Sequence, residues 1–285
     1  MISVIIASVN PVHLEHLRRN IGETIGAPFE IIAFENGNAA RGICEIYNSG
    51  ARQARYDVLC FMHEDVLMKT PDWGRVIAKL FSNNDVGAVG VAGCSYKSLA
   101  PSGWVAYGLP QILHYHVEQS YKFMDKPTEL LLSNPNGVKS QEVAVIDGVW
   151  MCTKKDIVLQ HPFDEDLLRG FHGYDVDFSI TVAQRYKVLV TYEVLLNHFS
   201  EGNFGADWLA AILKVAEKWR PLLPLNKAAL TRRQAEMVEV RTCKNLIGLM
   251  KRFKYSVSQK LSVVWSLKNA ISLPSLIKLT FHALK

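Results

Sequence analysis

Seven residues in this 285-residue chain carry side chains suited to chemistry at places where a backbone could hold them rigidly. His63-Glu64-Asp65 follows directly on the apolar run Val58–Met62, so a strand delivers two carboxylates and an imidazole at its end. Hard divalent cations bind carboxylate oxygens fixed by rigid elements, so this triplet is a candidate cation site; its plainer reading is a solvated turn after a strand. Asp175 and Asp177, in Gly173-Tyr-Asp-Val-Asp177, open a helix. A carboxylate there either complements the positive end of the helix dipole or takes a proton from an attacking hydroxyl as general base. His198, in Asn197-His-Phe-Ser-Glu-Gly202, is a metal or phosphate contact or a structural loop histidine, and Asp147-Gly148 interrupts an apolar strand over 143–152.

The elements that would position these groups alternate. Ile2–Ala7 is a β-branched strand, and Asn10-Pro11 starts a helix, with Asn as cap and Pro in the first turn. Leu14, Leu17 and Ile21 give that helix its apolar face. Phe29–Phe34 is a second strand ended by Glu35-Asn36-Gly37; Ile43, Ile46 and Ala54 mark a second helix, broken or bent at Gly50. Val58–Met62, Val86–Ala92 and Val188–Tyr192 are further strands, residues 93–140 read as long loops, and the pattern from Ala206 on is helical. Strand–helix alternation of this density predicts an α/β fold with a mostly parallel sheet flanked by helices. Ligands bind beyond the carboxyl ends of such strands, where Ser8/Asn10, Glu35-Asn36 and His63-Glu64-Asp65 fall.

Charge and composition narrow the function. The net charge is +5, but nine of the 32 basic residues lie from Val240 onward, where no acidic residue occurs, so residues 1–239 carry −4. No G-x-G-x-x-G follows the first strand, and no phosphate-loop motif or G-x-S-x-G elbow occurs, which argues against nicotinamide dehydrogenases, P-loop nucleotidases and serine hydrolases. Five cysteines without Cys-x-x-Cys spacing read as reduced, buried thiols of a cytoplasmic protein. No run of about 18 apolar residues is present, and the N-terminus lacks a basic region ahead of its apolar run, so neither a membrane span nor a signal peptide is expected.

Taken together, the motifs resemble family-2 glycosyltransferases of the GT-A fold over residues 1–205. Ile2-Ser-Val-Ile-Ile-Ala-Ser-Val-Asn10 is similar to V-S-V-I-I-P-T-Y-N, and Glu30-Ile-Ile-Ala-Phe-Glu35-Asn-Gly37 to E-I-I-V-V-D-D-G. Asn48-Ser-Gly50 and Val58–Asp65 resemble N-x-G leading to F-L-D-x-D. Asp147–Lys154 resembles the strand that closes the sugar pocket, and Phe163-Asp-Glu165 and Gly173–Asp177 resemble F-D-E and G-E-D-x-D. The chain departs from these patterns at His63, which replaces the first Asp of D-x-D, and at Tyr174, which replaces the Glu before the catalytic Asp.

The resemblance implies a metal-dependent, inverting transferase that moves a sugar from a nucleotide-diphosphate donor, expected to be a UDP-sugar, to an acceptor hydroxyl in cell-surface polysaccharide or glycolipid synthesis. It implies Asp175 as general base and Asp65 with His198 as ligands of Mn²⁺ or Mg²⁺. Ala7, Ser8, Val9, Glu35, Asn36, His63, Glu64 and Asp147 would then contact the donor or acceptor. The alternative on the same fold is a non-catalytic nucleotide-sugar-binding or assembly subunit. Residues 206–285 are expected to form a basic helical region, with Leu246, Met250, Phe253, Val257, Leu261 and Val264 as a continuous apolar stripe. That stripe packs on the catalytic domain, forms a homodimer, or lies on the inner face of the membrane beside a carbohydrate or lipid-linked acceptor. It lacks interleaved aromatics, which argues against nucleic acid.

Overall fold

The computed structural model describes every residue except Phe123, Glu201 and Asn203. The chain begins with β1 (Ile2–Ser8), α1 (Pro11–Thr24), β2 (Phe29–Glu35), α2 (Ile43–Gln53) and β3 (Val58–His63). It continues through β4 (Val66–Met68), α3 (Trp73–Phe81), β5 (Val86–Gly90), β6 (Ala92–Cys94), β7 (Tyr96–Lys97), β8 (Leu113–Gln119), β9 (Glu129–Ser133), β10 (Ser140–Val143), β11 (Val145–Ile146) and β12 (Trp150–Lys154). Next come α4 (Lys155–Gln160), α5 (Tyr174–Ala183), β13 (Lys187–Thr191), β14 (Leu196–His198) and α6 (Ala206–Trp219). The last elements are β15 (Leu225–Asn226), α7 (Arg232–Arg252), α8 (Val257–Ser266) and α9 (Leu273–Leu284).

The central sheet has the order β10-β13-β5-β12-β3-β1-β2. Strands β1, β2, β3, β5 and β13 run one way, while β12 and β10 run against them. Side chains alternate along a strand, so β1 feeds two cores. Ile2, Val4 and Ile6 meet Leu14, Leu17 and Ile21 of α1 and Trp73 and Ile77 of α3; Ile5 meets Ile46 and Tyr47 of α2. Both faces of the sheet are therefore covered, which is why its strands read as unbroken apolar runs. Asn10 caps α1 as its type suggests, its Oδ1 accepting from the amides of Val12 and His13 at 3.0 and 3.3 Å.

Three expectations change. Helix α2 runs through Gly50 without a break; the glycine is there for space, since a Cβ would stand 2.5 Å from Ile5 Cγ2. The run Val86–Ala92 is not one strand but two, β5 in the central sheet and β6 in a second sheet ordered β11-β6-β8-β14-β4, with β9 on β8. Residues 93–140 are consequently less loop than their Gly, Pro and Ser content suggests, because β7, β8 and β9 lie within them. Asp147-Gly148 interrupts its apolar run for a related reason: β11 belongs to the second sheet and β12 to the central one.

The helical region also differs from a single striped helix. Helix α7 ends at Arg252, Lys254 at φ 59° turns the chain after its Phe253 cap, and Ser256 starts α8 with a capping box. Leu246, Met250 and Val264 are buried, whereas Val257 is exposed. The apolar periodicity spans the break because both helices pack against the same neighbours, so periodicity alone could not locate it. Among the described residues no helix is long and apolar enough to cross a membrane.

Asp177 joins α5 to α6. Its carboxylate, almost fully buried, accepts from Lys218 Nζ at 2.9–3.0 Å and from Trp219 Nε1 at 2.6 Å. Lys218 also reaches Asp164 at 2.8 Å. Removing a buried carboxylate strands its donors, so Asp177→Ala is expected to lower unfolding free energy by about 2–3 kcal/mol, the partly exposed lysine keeping the loss below that of a fully buried pair. Urea titration checks this, and an unchanged midpoint would show that the contact carries no load.

Candidate active site

The carboxyl end of β3 distributes its three polar residues in three directions. His63 continues the strand, Glu64 turns toward β1, and Asp65 faces β14. The Glu64 carboxylate accepts from Ser8 Oγ at 2.6 Å, Val9 N at 3.1 Å and Asn10 N at 3.0 Å. Glu64 and Ser8 are thus engaged with each other, fixing the entry to α1. Ala7 pairs in register with His63, and Val9 is exposed. Asn36 is buried and holds the turn after β2 by accepting from Arg41 N and donating to Arg41 O, while Glu35 beside it faces solvent.

Asp65 and His198 meet through strand register. β14 pairs antiparallel with β4, with His198 opposite Val66, so the imidazole arrives beside the preceding Asp65. His198 Nε2 lies 3.7 Å and His63 Nδ1 3.9 Å from Asp65 Oδ1, and one ligand atom from each of the three residues falls within 4.8 Å of the others. Ser200 Oγ donates to Asp65 Oδ2 at 2.7 Å. Burial pushes the Asp65 carboxyl up, but His198, His63 and the Ser200 hydroxyl together hold it below the ordinary carboxylate value. Two imidazoles and one ionised carboxylate, spaced wider than hydrogen bonds, form a donor set that fits a divalent transition ion. Beside Asp65 lies a cavity of about 180 Å³ lined by His13, His16, Glu64, Leu67 and Phe199 among others.

Asp175 and Asp147 form the second part of the site. Asp175 is in the first turn of α5, after Gly173 at φ 82°, a left-handed conformation that favours glycine. Its carboxyl is pushed up to about 7, first by burial and then by the negative charge of Asp147. Asp147 Oδ1 accepts from Val149 N at 2.8 Å, which shapes the turn between the two sheets. Tyr174 links this part to the first, its hydroxyl 2.8 Å from His63 Nε2 and 3.1 Å from the carbonyl of Gly148.

The structure therefore brings His63, Asp65 and His198 into one cluster and sets Asp175 beside Asp147. It places Ser8, Glu64 and Asn36 in internal hydrogen bonds. Sequence reasoning missed two residues. His172 lies near His63 and Asp207, which act on its ionisation after burial has pushed it down. Lys97 is fully buried, donating to Ser102 O and Oγ, and it is pushed down to about 8 by burial. A lone lysine in a two-residue strand has no periodicity to announce it.

With this geometry in hand, residues 4–202 match the family described as "Glycosyltransferase like family". The chain belongs to that family, and its architecture is the GT-A fold. No curated protein sequence matches. A structure of GalNAc-T7 with UDP, GalNAc and Mn²⁺ aligns at TM-score 0.53 and 11% identity, covering 77% of this chain and 48% of that one. The chain thus spans about half the length of that relative. S. aureus TarS 1–349 in complex with UDP aligns at TM-score 0.50 and 10% identity, covering 98% and 80%. A mannosyltransferase from Pyrobaculum calidifontis in complex with GDP-Man and Mn²⁺ aligns at 0.49 and 13%, covering 99% and 84%.

The raised Asp175 carboxyl has a stability consequence. An unfolded chain releases this proton near 3.8, the folded one near 7. Between those values the folded state holds the extra proton, so the residue costs stability as pH rises through the window and the cost is constant above it. Asp175→Asn removes the cost, and its unfolding free energy relative to wild type is expected to be higher at about pH 8 than at about pH 4. Parallel urea curves at both pH values would contradict the shift.

Proposed function

We propose that the protein is an inverting glycosyltransferase that uses a UDP-sugar donor and Mn²⁺, with residues 1–205 holding the catalytic site and 206–285 the helical extension. The observation that carries this reading is the convergence of His63, Asp65 and His198 at the carboxyl end of β3, on the same sheet end as a carboxyl poised near neutrality. Two imidazoles beside a single carboxylate suit Mn²⁺ better than Mg²⁺, which prefers oxygen. UDP as the nucleotide draws support from the two solved relatives at TM-scores of 0.53 and 0.50, both with UDP.

When bound, the ion supplies Lewis-acid neutralisation of the leaving diphosphate. The protein supplies the rest. Asp175 takes the proton of the acceptor hydroxyl as its oxygen attacks the anomeric carbon from the face opposite the diphosphate, which inverts that carbon. A base near pH 7 is matched to this task, because roughly half of it is ionised at neutral pH and it is still basic enough to accept the proton. Burial first, and then the charge of Asp147, keep Asp175 in that range. Ala7, Val9 and Glu35 lie at the strand ends where base and ribose would sit, and Asn36 shapes the turn beside them.

The acceptor is lipid-linked, and α9 brings the enzyme to it. Leu273, Ile277, Phe281 and Leu284 recur at spacings of four, four and three, and all are exposed on one helical face, with exposed Lys278 and Lys285 nearby. The absence of Asp and Glu from Val240 onward leaves the region's lysines and arginines uncompensated locally. An apolar face in a basic surrounding suits the headgroup boundary of an anionic bilayer.

Two measurements test the reading. Wild type should hydrolyse or transfer from one member of a UDP-sugar panel with Mn²⁺, with kcat falling below about pH 7 and lost in EDTA. Asp175→Asn should lose about 10²–10⁴-fold in transfer while binding UDP normally; transfer at the wild-type rate removes Asp175 from the mechanism. For the membrane, the full chain should sediment with anionic vesicles but not neutral ones, and an Ile277→Glu, Phe281→Glu double variant should stay in the supernatant. Wild type left in the supernatant with anionic vesicles, or dimerising through this face instead, overturns that part.

A further inference from the structure

We infer that Tyr174 is a positioning residue that fixes the tautomer of His63, placing the proton on Nε2 and leaving the Nδ1 lone pair facing Asp65. The inference deepens the metal reading above and rests on it for its consequence, but the hydrogen-bond geometry stands on its own.

Tyr174 is 4% exposed and enters the core from the first residue of α5. Its ring is held edge-on by Tyr47 at 5.6 Å. Its hydroxyl has one proton to give and three polar neighbours, Gly148 O at 3.1 Å, His63 Nε2 at 2.8 Å and the Tyr47 hydroxyl, which can itself donate to the second lone pair. A carbonyl can only accept, so the proton goes to Gly148 O. The hydroxyl oxygen then accepts, and the matching donor is His63 Nε2–H. The opposite arrangement gives the hydroxyl proton to Nε2, deprives a buried carbonyl of its donor and moves the imidazole proton to Nδ1. Nothing rewards it there, because Nδ1 is 3.9 Å from Asp65 Oδ1, beyond hydrogen-bond distance.

Gly148 is part of the device. A Cβ on it would stand 2.2 Å from the Tyr174 hydroxyl oxygen, so any other residue displaces the group that orients His63. The two positions at which the chain departs from the pattern it resembles, His63 and Tyr174, are thus hydrogen-bonded to each other. An imidazole can ligate only through an unprotonated nitrogen, and the partner on its other nitrogen sets which one that is.

The test reads the tautomer and the ion separately. Long-range ¹H–¹⁵N spectra of the full chain labelled at histidine, at about pH 8, should show His63 as Nε2–H. Tyr174→Phe, which keeps the buried ring, should convert it to a tautomer mixture; Tyr47→Phe, which removes only the neighbouring hydroxyl, should not. Titration with Mn²⁺ alone, followed by electron paramagnetic resonance, should show Tyr174→Phe binding about 10–100-fold more weakly than wild type. If that variant does not fold, Gly148→Ala serves in both measurements. An Nδ1–H tautomer in wild type, or an unchanged tautomer in the variant, overturns the inference, as does equal Mn²⁺ affinity. Failure of wild type to bind Mn²⁺ sinks the metal reading instead, and the spectra still decide the role of Tyr174.

Discussion

The site depends first on the Glu64 carboxylate. By accepting the Ser8 hydroxyl and the amides of Val9 and Asn10, it fastens the end of β1 to the end of β3. The amides of Val9 and Asn10 stand just ahead of α1, outside its hydrogen-bond ladder, and a carboxylate is their strongest available acceptor. With that clamp in place the neighbours of Glu64 are aimed elsewhere: His63 toward Tyr174 and Asp65 toward His198. Three adjacent polar residues then perform three different tasks because a tight strand end gives each its own direction.

Much of this was legible in the sequence where the physics is local. The first three strands, the Asn10 cap and the helix opened by Gly173 each follow from residue type and spacing within a dozen positions. The split of Val86–Ala92 between two sheets was not legible, because both halves are equally apolar and the change of sheet at Val91 is a tertiary event. The α7–α8 break was hidden similarly, since the same apolar spacing serves either side of Lys254. For the site, Asp65 and Asp175 were readable as carboxylates at element ends. That Glu64 points away from Asp65 was not, because it depends on amides 54 and 55 residues away in the chain.

The charge of the chain divides in a way its sum conceals. The mildly acidic part carries the candidate donor site, where two imidazoles and the Ser200 hydroxyl hold the Asp65 carboxyl low against its burial, while burial and then the Asp147 charge push Asp175 up to about 7. The basic part consists of α7–α9, with their own small cores built around Ile247, Val264 and Leu279 and around Leu246 and Met250. Glu239 ties the two parts together, buried and accepting from Tyr96, Leu99 and Ala100.

The distance along the chain between Asp65 and the segment that completes its surroundings has a consequence for assembly. Ser200 and Asp65 are 135 residues apart, and β14, which brings Ser200 and His198, lies between β8 and β4 and is the strand that joins β4 to the second sheet. Contacts of such long sequence separation form late, since the entropy of closing the loop precedes any reward. During synthesis, therefore, His198 joins His63 and Asp65 only after most of the polypeptide has emerged, so the candidate cation site closes late.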